Sequence, residues 1–443
     1  MMIIRSALIA VVLLAQPVFS QGEPAVVMRL TLSQAVEKAV NHSKDIRISA
    51  QKVEKAKRAY KKIRTNAMPQ VSGNVKWDKY IKSPVITVDF GAGVQNIPIK
   101  QDYEMQTSIA LSQTITSFGR LSAAMDVARK AIDIQRLSAD IARNEIVYAV
   151  KQAYYTILYA QEALGIAQDS HKNALDNQKA LKSRVRAGRA SRIDNVKMKA
   201  DVHGRIPPKL EAGSRLDSLV ISFKEIIGAP ENAQIELVDA LTREFPVYTQ
   251  TDLRSRMMLK EPVLRTFKES ILLSENRLRL RKKDYFPVLS ALANYSYSGN
   301  SNDTFPRDQM EPMFSVGLAF SIPLWDSGLR RHSYHEAASD LDIAKLKYSK
   351  RQESLDAALR SALSEYHWAV DIYKAGLKAL EVAQQSYEIT LSSFRSGSGS
   401  QSQLNDAELH LSASKIKTKQ SLYEINILMA RIEKLTAMEQ GEK

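Results

Sequence analysis

The sequence carries an internal duplication, and this feature constrains the fold more than any other. LSQTITSFGR, Leu111 to Arg120, aligns with FSIPLWDSGL, Phe320 to Leu329, so that Gly119 and Gly328 correspond at an offset of 209. Gly188 and Gly397 have the same offset of 209, which means that the intervening segments correspond without a net insertion. AMPQVSGNVKW and DYFPVLSALANY also align, at an offset of 218, so the first copy has the longer hairpin. The duplication therefore predicts two copies of one supersecondary unit.

Each predicted copy has the same order: a helix, a pair of strands, a very long helix, a glycine tip and a returning helix. The copies occupy residues 21–229 and 252–443, the second with a C-terminal tail, and residues 230–251 link them. The opening helices are predicted at about Leu32 to Asn66 and Asp252 to Lys283, and the strand pairs at Val71 to Val88 with Tyr103 to Thr116 and Val288 to Tyr297 with Phe314 to Leu324.

The predicted strands alternate apolar and polar residues, with a few exceptions such as Thr107 and Gln113. Tyr103, Met105, Ile109, Leu111 and Ile115 share one face in the first copy, and Val316, Leu318, Phe320, Ile322 and Leu324 share the same phase in the second. A soluble sandwich alternates in this way but needs more strands than four. A membrane barrel also alternates, and its smallest known members have about eight strands. If these strands enter a membrane, several chains must share one barrel.

The helices are unusually long. No proline occurs between Pro98 and Pro207, and a helix from Arg120 to Arg186 would be about 100 Å long. Small and aliphatic residues recur within it at steps of three and four, namely Ala139, Ala142, Ile146, Ala149, Ala153, Ile157, Ala160 and Leu164. This spacing is typical of a coiled-coil seam that permits close helix approach. A simple structural rod would share the pattern but would not need paired strands before each long helix.

The N-terminus predicts export. Residues 1–20 have a basic residue, Arg5, an apolar run from Ala7 to Ala15 and a small-residue cleavage site. A membrane anchor is the alternative, although the run is shorter than the ~20 residues that span a bilayer. The chain has 0 cysteines, which excludes disulfides and a lipid-modified N-terminal cysteine. The net charge of +15 is consistent with solvated helix faces, anionic lipid or nucleic acid, and export argues against the last.

Gly188 and Gly397 are interpreted as turns of helical hairpins. Glycine tolerates the positive φ at which helices end, and Ser191 and Ser400 can cap the helices that follow. Structural need alone would explain both glycines. Two similar exposed turns at one end of the molecule also form a docking surface, which would include Arg186 and Arg395.

With GRASRID and GSGSQSQLNDA at the tips of a duplicated chain, the sequence resembles the TolC family of outer-membrane efflux proteins over nearly its whole mature length. The resemblance implies a mainly α fold with a small β part. Long periplasmic hairpins would form an α-barrel, and four strands per chain would join a shared twelve-stranded β-barrel of a trimer. It also implies that the tips meet a periplasmic adaptor, or membrane fusion protein, connected to an inner-membrane pump.

The resemblance also implies roles for residues near the tips. Acids six and nine residues after the second tip glycine line the pore in such channels, and here these positions are Gln403 and Asp406. A trimer would therefore have one carboxylate ring, of Asp406, unless that residue is simply solvated on its helix. Asp194 matches an acid that ties neighbouring helices together in the closed state.

The usual partners of that acid are absent, because Gly399 replaces an arginine and Phe394 a tyrosine; Arg189 or Arg192 are alternative partners. Pro207 and Pro208 should kink or break the returning helix of the first copy, and the second copy has no such prolines.

Four aromatic residues lie near predicted strand ends, namely Trp77, Tyr80, Phe118 and Trp325. Such residues often mark a membrane interface, although each could instead be packing.

The sequence lacks catalytic motifs. His332 and His335 could share a helix face, but without a third ligand we interpret them as surface residues and expect no metal site and no cofactor.

We therefore predict that the protein is not an enzyme but a passive exit duct, the outer-membrane channel of a tripartite efflux or type I secretion system. Its predicted partners are outer-membrane lipid, further copies of itself, an adaptor and a pump, with no nucleic acid. The alternative is a periplasmic coiled-coil scaffold or adaptor protein without a pore. A basic filament that binds nucleic acid is contradicted by the export signal.

Overall fold

The computed structural model describes residues 27–302, apart from positions 90 and 92, and residues 310–438. The predicted signal peptide, residues 1–20, and the last five residues lie outside the described part. The elements follow in chain order: β1 Val27–Leu30, α1 Leu32–His42, α2 Lys44–Arg64, β2 Gln70–Lys79, β3 Val85–Asp89, β4 Val94–Pro98, β5 Tyr103–Thr116, α3 Arg120–Arg186, α4 Arg192–Gly204, α5 Ile206–Ile227, β6 Gln234–Leu237, α6 Gln250–Lys260, α7 Pro262–Lys283, β7 Val288–Ser301, β8 Glu311–Ser321, α8 Leu329–Ser396 and α9 Gln401–Thr436. The fold is mainly α with a small β part, as predicted.

The predicted strand pairs form one four-stranded sheet in the order β2-β5-β7-β8, in which every neighbouring pair is antiparallel. Pairing of β5 with β7 joins the two halves of the chain, a contact that the repeat alone does not reveal. The prediction of one strand from Val71 to Val88 was wrong: β2 ends at Lys79, and the rest of that segment forms a separate β3–β4 hairpin. This hairpin accounts for the longer insertion in the first copy.

The sheet has one apolar and one polar face, in the phase predicted from the sequence. Across the four strands, Val71, Leu111, Ala293 and Val316 occupy one row, and the next row on the same face contains Ile109, Tyr295 and Phe314. The opposite face carries Ser72, Ala110, Asn294 and Ser315 in register. A bulge at Ile115 interrupts the alternation near the end of β5. Most large apolar side chains of the first face are exposed, including Val316 and Leu318 at 72% each.

The two long helices run from the end of the sheet to the hairpin tips. α3 has 67 residues and α8 has 68, or about 100 Å at the usual rise. In the half next to the sheet, α2 and α7 pack against them; in the other half α5 and α9 do so. Each long helix starts after a left-handed glycine, Gly119 at φ 87° and Gly328 at φ 89°. The predicted alignment of these two glycines therefore corresponds to the same backbone turn in both copies.

Three shorter helical segments are interrupted, and for the two opening helices the prediction of a continuous helix was wrong. The first opening helix breaks at Ser43, which caps α2, and the second at Glu261, whose carboxylate accepts the Leu264 N–H at 2.6 Å just before Pro262. The returning helix of the first copy breaks at Arg205, immediately before Ile206-Pro207-Pro208, as the prolines predict. Its counterpart α9 is uninterrupted over 36 residues. The returning helices of the two copies therefore differ in continuity.

The largest hydrophobic cluster lies where the ends of several helices meet the middle of α3 and α8. Its fully buried members include Tyr154, Phe223, Leu359 and Ile425. A parallel β1–β6 pair, which the sequence analysis missed because each strand has only four residues, lies against this core. The Tyr154 hydroxyl donates a hydrogen bond to the Leu30 carbonyl at 3.0 Å and so attaches the pair to α3. Among the described residues, no helix combines the length and apolar character needed to cross a bilayer.

Candidate functional site

Both helical hairpins turn through a glycine in the left-handed region. Gly188, at φ 70°, follows α3, and the Ser191 side chain then accepts the Ile193 N–H at 3.2 Å. Gly397, at φ 95°, ends α8 and donates its N–H to the Phe394 carbonyl at 3.2 Å. Ser400 begins α9 by accepting the Gln403 N–H at 3.2 Å. Arg186 and Arg395 lie in the last turns of the two long helices, so all six predicted tip residues lie at the same end of the molecule.

The two tips are joined by Arg184, which the sequence analysis did not single out. Its Nη1 donates to the Phe394 carbonyl at 2.5 Å, and its guanidinium lies 5.3 Å from the centre of the Phe394 ring. A Cβ on Gly397 would stand only 3.2 Å from Nη2 of the same arginine. The residue that contacts Phe394 is thus an arginine inside α3. Because the contact spans 210 residues, no local pattern could have identified it. That Arg189 or Arg192 pairs with Asp194 stays a prediction.

A small hydrophobic cluster holds the tips together. It comprises Leu181, Met198, Tyr387, Phe394, Leu404, Ala407 and Leu411. Its members come from α3, α4, α8 and α9, so four helices share a core close to the turns. Displacing one tip relative to the other must disturb this core, which favours movement of the hairpins as units.

The predicted constriction residues lie on the first turns of α9. Asp406 and Gln403 are exposed, on the side of the helix away from Leu404 and Leu411. The Gln403 side-chain oxygen accepts the Ser400 N–H at 3.0 Å and completes a capping box. The amide oxygen of Gln403 is therefore engaged locally, while the carboxylate of Asp406 faces solvent. Asp194 is half-buried in the first turn of α4, where the helix dipole stabilises a negative charge.

A buried polar cluster lies at the break between α4 and α5. The Arg205 guanidinium, 8% exposed, forms ion pairs with Glu408 at 2.9 Å and Asp201 at 3.2 Å, and donates to Asn405 at 2.7 Å. It also hydrogen-bonds Ser170 on α3, and Ser170 in turn donates to Glu408 at 3.1 Å. Three segments that are distant in sequence thus meet around one arginine.

Burial is the largest influence on the Glu408 carboxyl and raises its pKa. The positive charges of Arg205 and Lys415 lower this pKa by less, and the negative charge of Asp201 raises it further. No sequence pattern predicted this cluster. Arg205 next to Ile206-Pro207-Pro208 was the one available signal, since a charged residue at a helix break often has a specific partner. Nothing in the sequence indicates that this partner lies on α9.

The four predicted interface aromatics lie at the two ends of the sheet. Trp77, on β2, stacks on Tyr103 with ring centres 5.6 Å apart, and the Tyr80 hydroxyl bonds Glu104 at the same end. Phe118 and Trp325 follow the opposite ends of β5 and β8, and Trp325 is 86% exposed. From Met105, opposite Trp77, to Thr116 the strand extends about 37 Å at the usual rise. This is close to the ~30 Å hydrocarbon thickness plus part of the headgroup layers.

Within the part of the chain that the structure describes, no group of three or more histidine, cysteine, aspartate or glutamate side chains is arranged to hold a metal. His335 packs edge-on against Tyr334, and His332 lies beside Gly328. Both residues are on the first turns of α8 at the sheet end.

The sequence matches the family model described as outer membrane efflux protein over residues 35–204 and 258–437. One match falls in each half of the duplicated chain, and together they span most of it. The relative described as nodulation protein T of Rhizobium leguminosarum bv. trifolii is 22% identical over 247 residues. That alignment covers 55% of this chain and 52% of the relative, so the chain spans about half the length of this curated relative.

Solved structures with the same fold cover nearly the whole chain. The Campylobacter jejuni CmeC outer membrane channel aligns with a TM-score of 0.76 at 14% identity, over 93% of this chain and 87% of that one. The open state of the Neisseria gonorrhoeae MtrE outer membrane channel aligns with a TM-score of 0.73 at 15% identity, over 91% and 88% of the two chains.

Proposed function

Because this chain belongs to the outer membrane efflux protein family, we propose that it is the outer-membrane exit duct of a tripartite efflux or type I secretion system. Family membership makes it a channel protein of the outer membrane, with helices that extend into the periplasm, and not an enzyme. The finer proposal is that three copies form one passive duct that takes its energy and its cargo from partner proteins.

One observation carries this proposal: the four-stranded sheet is amphipathic and incomplete. Its apolar face is exposed, and among the described strands β2 and β8 each have one neighbour within the chain. An open edge in lipid is very costly because its backbone groups have no water to bond. Since strand direction alternates from β2 to β8, β8 of one copy can pair antiparallel with β2 of the next. Three copies would close a barrel of twelve strands with its apolar face toward lipid.

The helices supply the rest of the proposed duct. α3 and α8, each about 100 Å long, would continue the barrel into the periplasm. The tip residues Arg186, Gly188, Ser191, Arg395, Gly397 and Ser400 lie at their far end and would dock the periplasmic adaptor. Exposed turns suit this role because Ser191 and Ser400 already cap the helices that follow, while the Arg186 and Arg395 side chains are exposed.

At the tips, Asp406 would form a ring of three carboxylates at the narrowest point of the duct. Such a ring favours cations and can bind a divalent metal ion. We expect Gln403 to contribute through its bulk and its amide N–H groups, since its oxygen accepts the Ser400 N–H. Asp194 would tie neighbouring helices in the closed state, with the Arg184 contact to Phe394 holding the two tips of each chain together.

The experiment that tests the proposal is fractionation followed by native mass spectrometry of the wild-type protein. We expect the protein in the outer membrane fraction, released only by detergent, with a mass of three chains and a band that changes mobility on heating. A periplasmic scaffold, the alternative, would be released without detergent. A monomer in the detergent extract would contradict the shared barrel.

A further inference from the structure

The junction between the sheet and the helices is strongly basic. We define the junction collar as residues 61–67, 117–121, 280–287 and 322–332, which connect each strand of the sheet to its helix. The collar contains nine lysines and arginines but only two acids, Asp284 and Asp326. Its basic residues are Lys61, Lys62, Arg64, Arg120, Arg281, Lys282, Lys283, Arg330 and Arg331. This excess is local, because the whole chain has 63 basic and 48 acidic residues.

The two acids neutralise only part of this charge. Asp284 pairs with Arg120 at 3.0 Å and with Arg281 at 3.4 Å. Asp326 pairs with Arg330 at 2.5 Å. The lysines at the ends of α2 and α7, which are Lys61, Lys62, Lys282 and Lys283, instead project from the last turns of the two helices. The helix dipole stabilises a lysine in the last turn, but this stabilisation does not require four lysines.

Exposed aromatic and aliphatic side chains are interleaved with these cations. Lys283 Nζ lies 4.5 Å from the centre of the Phe286 ring, and the Arg330 guanidinium lies 5.0 Å from that of Tyr285. Both rings are exposed, as are Phe118 and Trp325. Aromatic rings beside basic residues are typical of the headgroup layer, where a ring is partly in hydrocarbon and the ammonium group remains in water.

The apolar face of the sheet continues into the collar. Along β8 and beyond it, Val316, Leu318, Phe320, Ile322 and Leu324 are all exposed, and Leu324 is 84% exposed. The last two belong to the segment just before the basic start of α8. Lipid that covers the apolar face therefore ends its hydrocarbon region at the collar, which brings its phosphate groups to the level of the cations.

We propose that the junction collar binds the phosphodiester headgroups of anionic phospholipid in the periplasmic leaflet of the outer membrane. A row of cations next to a lipid-covered apolar surface attracts anionic headgroups electrostatically. The inference rests on the outer-membrane placement of the sheet, and not on the trimer, the adaptor or the pump. Anionic lipid would then hold the barrel at a fixed depth in the membrane, together with the aromatic residues.

The test compares lipid binding by two variants that lose the same charge. One is Lys61→Gln/Lys62→Gln/Lys282→Gln/Lys283→Gln in the collar. The matched control carries glutamine at four exposed lysines of the tip half: Lys172, Lys182, Lys197 and Lys199. Each full-length protein is purified in detergent and titrated with phosphatidylglycerol or with phosphatidylcholine, and bound lipid is counted by native mass spectrometry. A third variant with arginine at the four collar positions checks that charge, and not lysine itself, matters.

We expect the wild type and the tip variant to prefer phosphatidylglycerol, and the collar glutamine variant to lose at least tenfold of that preference. The arginine variant should retain it, and 0.5 M salt should weaken it in every protein that shows it. Equal losses in the collar and tip variants would overturn the proposal, since net charge alone would then explain binding. An unchanged lipid preference with altered ion selectivity in planar bilayers would also overturn it, because the collar cations would then face the lumen. The masses recorded in the same spectra report whether each variant assembles, so failure of the oligomer is seen separately.

Discussion

At the scale of single residues, the tips depend on Gly188, Gly397 and Arg184. The Gly397 backbone, at φ 95°, is in a region that L residues rarely adopt, and an added Cβ would approach Arg184. The same change at Gly213, in the interior of α5 with open space around its Cα, should instead favour the helix. Gly397 and Gly213 therefore provide a matched pair for testing whether the second tip needs a left-handed backbone at its turn.

We expect Gly397→Ala to destabilise the second tip by about 1–2 kcal/mol, and Gly213→Ala to be neutral or stabilising by up to about 1 kcal/mol. Hydrogen exchange of the segments around residues 391–404 and 206–220 would measure both effects. Similar protection of the tip in wild type and Gly397→Ala would show that the left-handed turn is not required.

The buried carboxyl of Glu408 predicts a pH dependence of the tip half. Its pKa is raised from 4.5, mainly by burial, so the folded protein holds this proton more tightly than the unfolded chain does. The stabilisation is complete below the ordinary value of 4.5 and is lost as the pH rises through the raised pKa. Chemical unfolding in detergent at pH 5 and pH 7.5 should show a smaller change for Glu408→Gln than for wild type. A larger change in the variant would mean that the ion pair with Arg205 outweighs burial.

At the scale of elements, the break between α4 and α5 has two possible causes, the prolines and the buried Arg205 cluster. The double substitution Pro207→Ala/Pro208→Ala restores two backbone N–H groups and removes the steric restriction on the preceding residue. If the prolines cause the break, amides around residues 205–210 should gain at least tenfold in hydrogen-exchange protection. Unchanged protection would assign the break to the contacts of Arg205 with Glu408 and Asp201.

The two faces of β8 provide a second prediction at this scale. Val316 lies on the exposed apolar face and its neighbour Ser315 on the polar face. We expect Val316→Lys to destabilise the folded protein in a bilayer by about 2–4 kcal/mol, because a lysine near the middle of the lipid face is desolvated. Ser315→Lys should change the stability much less. Urea unfolding from lipid vesicles measures both variants, and equal costs would argue against lipid on the Val316 face.

The elements also show what the sequence could and could not predict. The bounds of α3, the two glycine turns and the phase of the strands followed from proline positions, the 209-residue offset and period-two alternation. The breaks at Ser43 and Glu261 were missed because each depends on a side-chain cap within an otherwise helical pattern. The β5–β7 pairing and the contacts of Arg184 and Arg205 were not predictable, because they join residues that are far apart in the chain.

At the scale of the whole molecule, a single chain leaves the apolar face of its sheet uncovered. Its sheet has an exposed apolar face, and among the described strands β2 and β8 are edges. Its long helices extend about 100 Å from that sheet. Association with further copies would cover the edges and enclose a lumen. The end of the sheet with Trp77 and Tyr80, the junction collar with Phe118 and Trp325, and the tips would then lie at three successive levels. These levels would face the outside, the periplasmic leaflet and the partner proteins.

The most direct test of the exit duct is single-channel conductance in a planar bilayer. We would compare the wild type with Asp406→Ala, and with Asp340→Ala as a control that removes an exposed acid far from the tip, with and without divalent cations. We expect discrete cation-selective openings that divalent cations block in wild type and control, with a weaker block in Asp406→Ala. Openings that are identical in all three proteins would contradict the acidic ring. A protein that shows no conductance and is recovered as a monomer without detergent would contradict the duct itself.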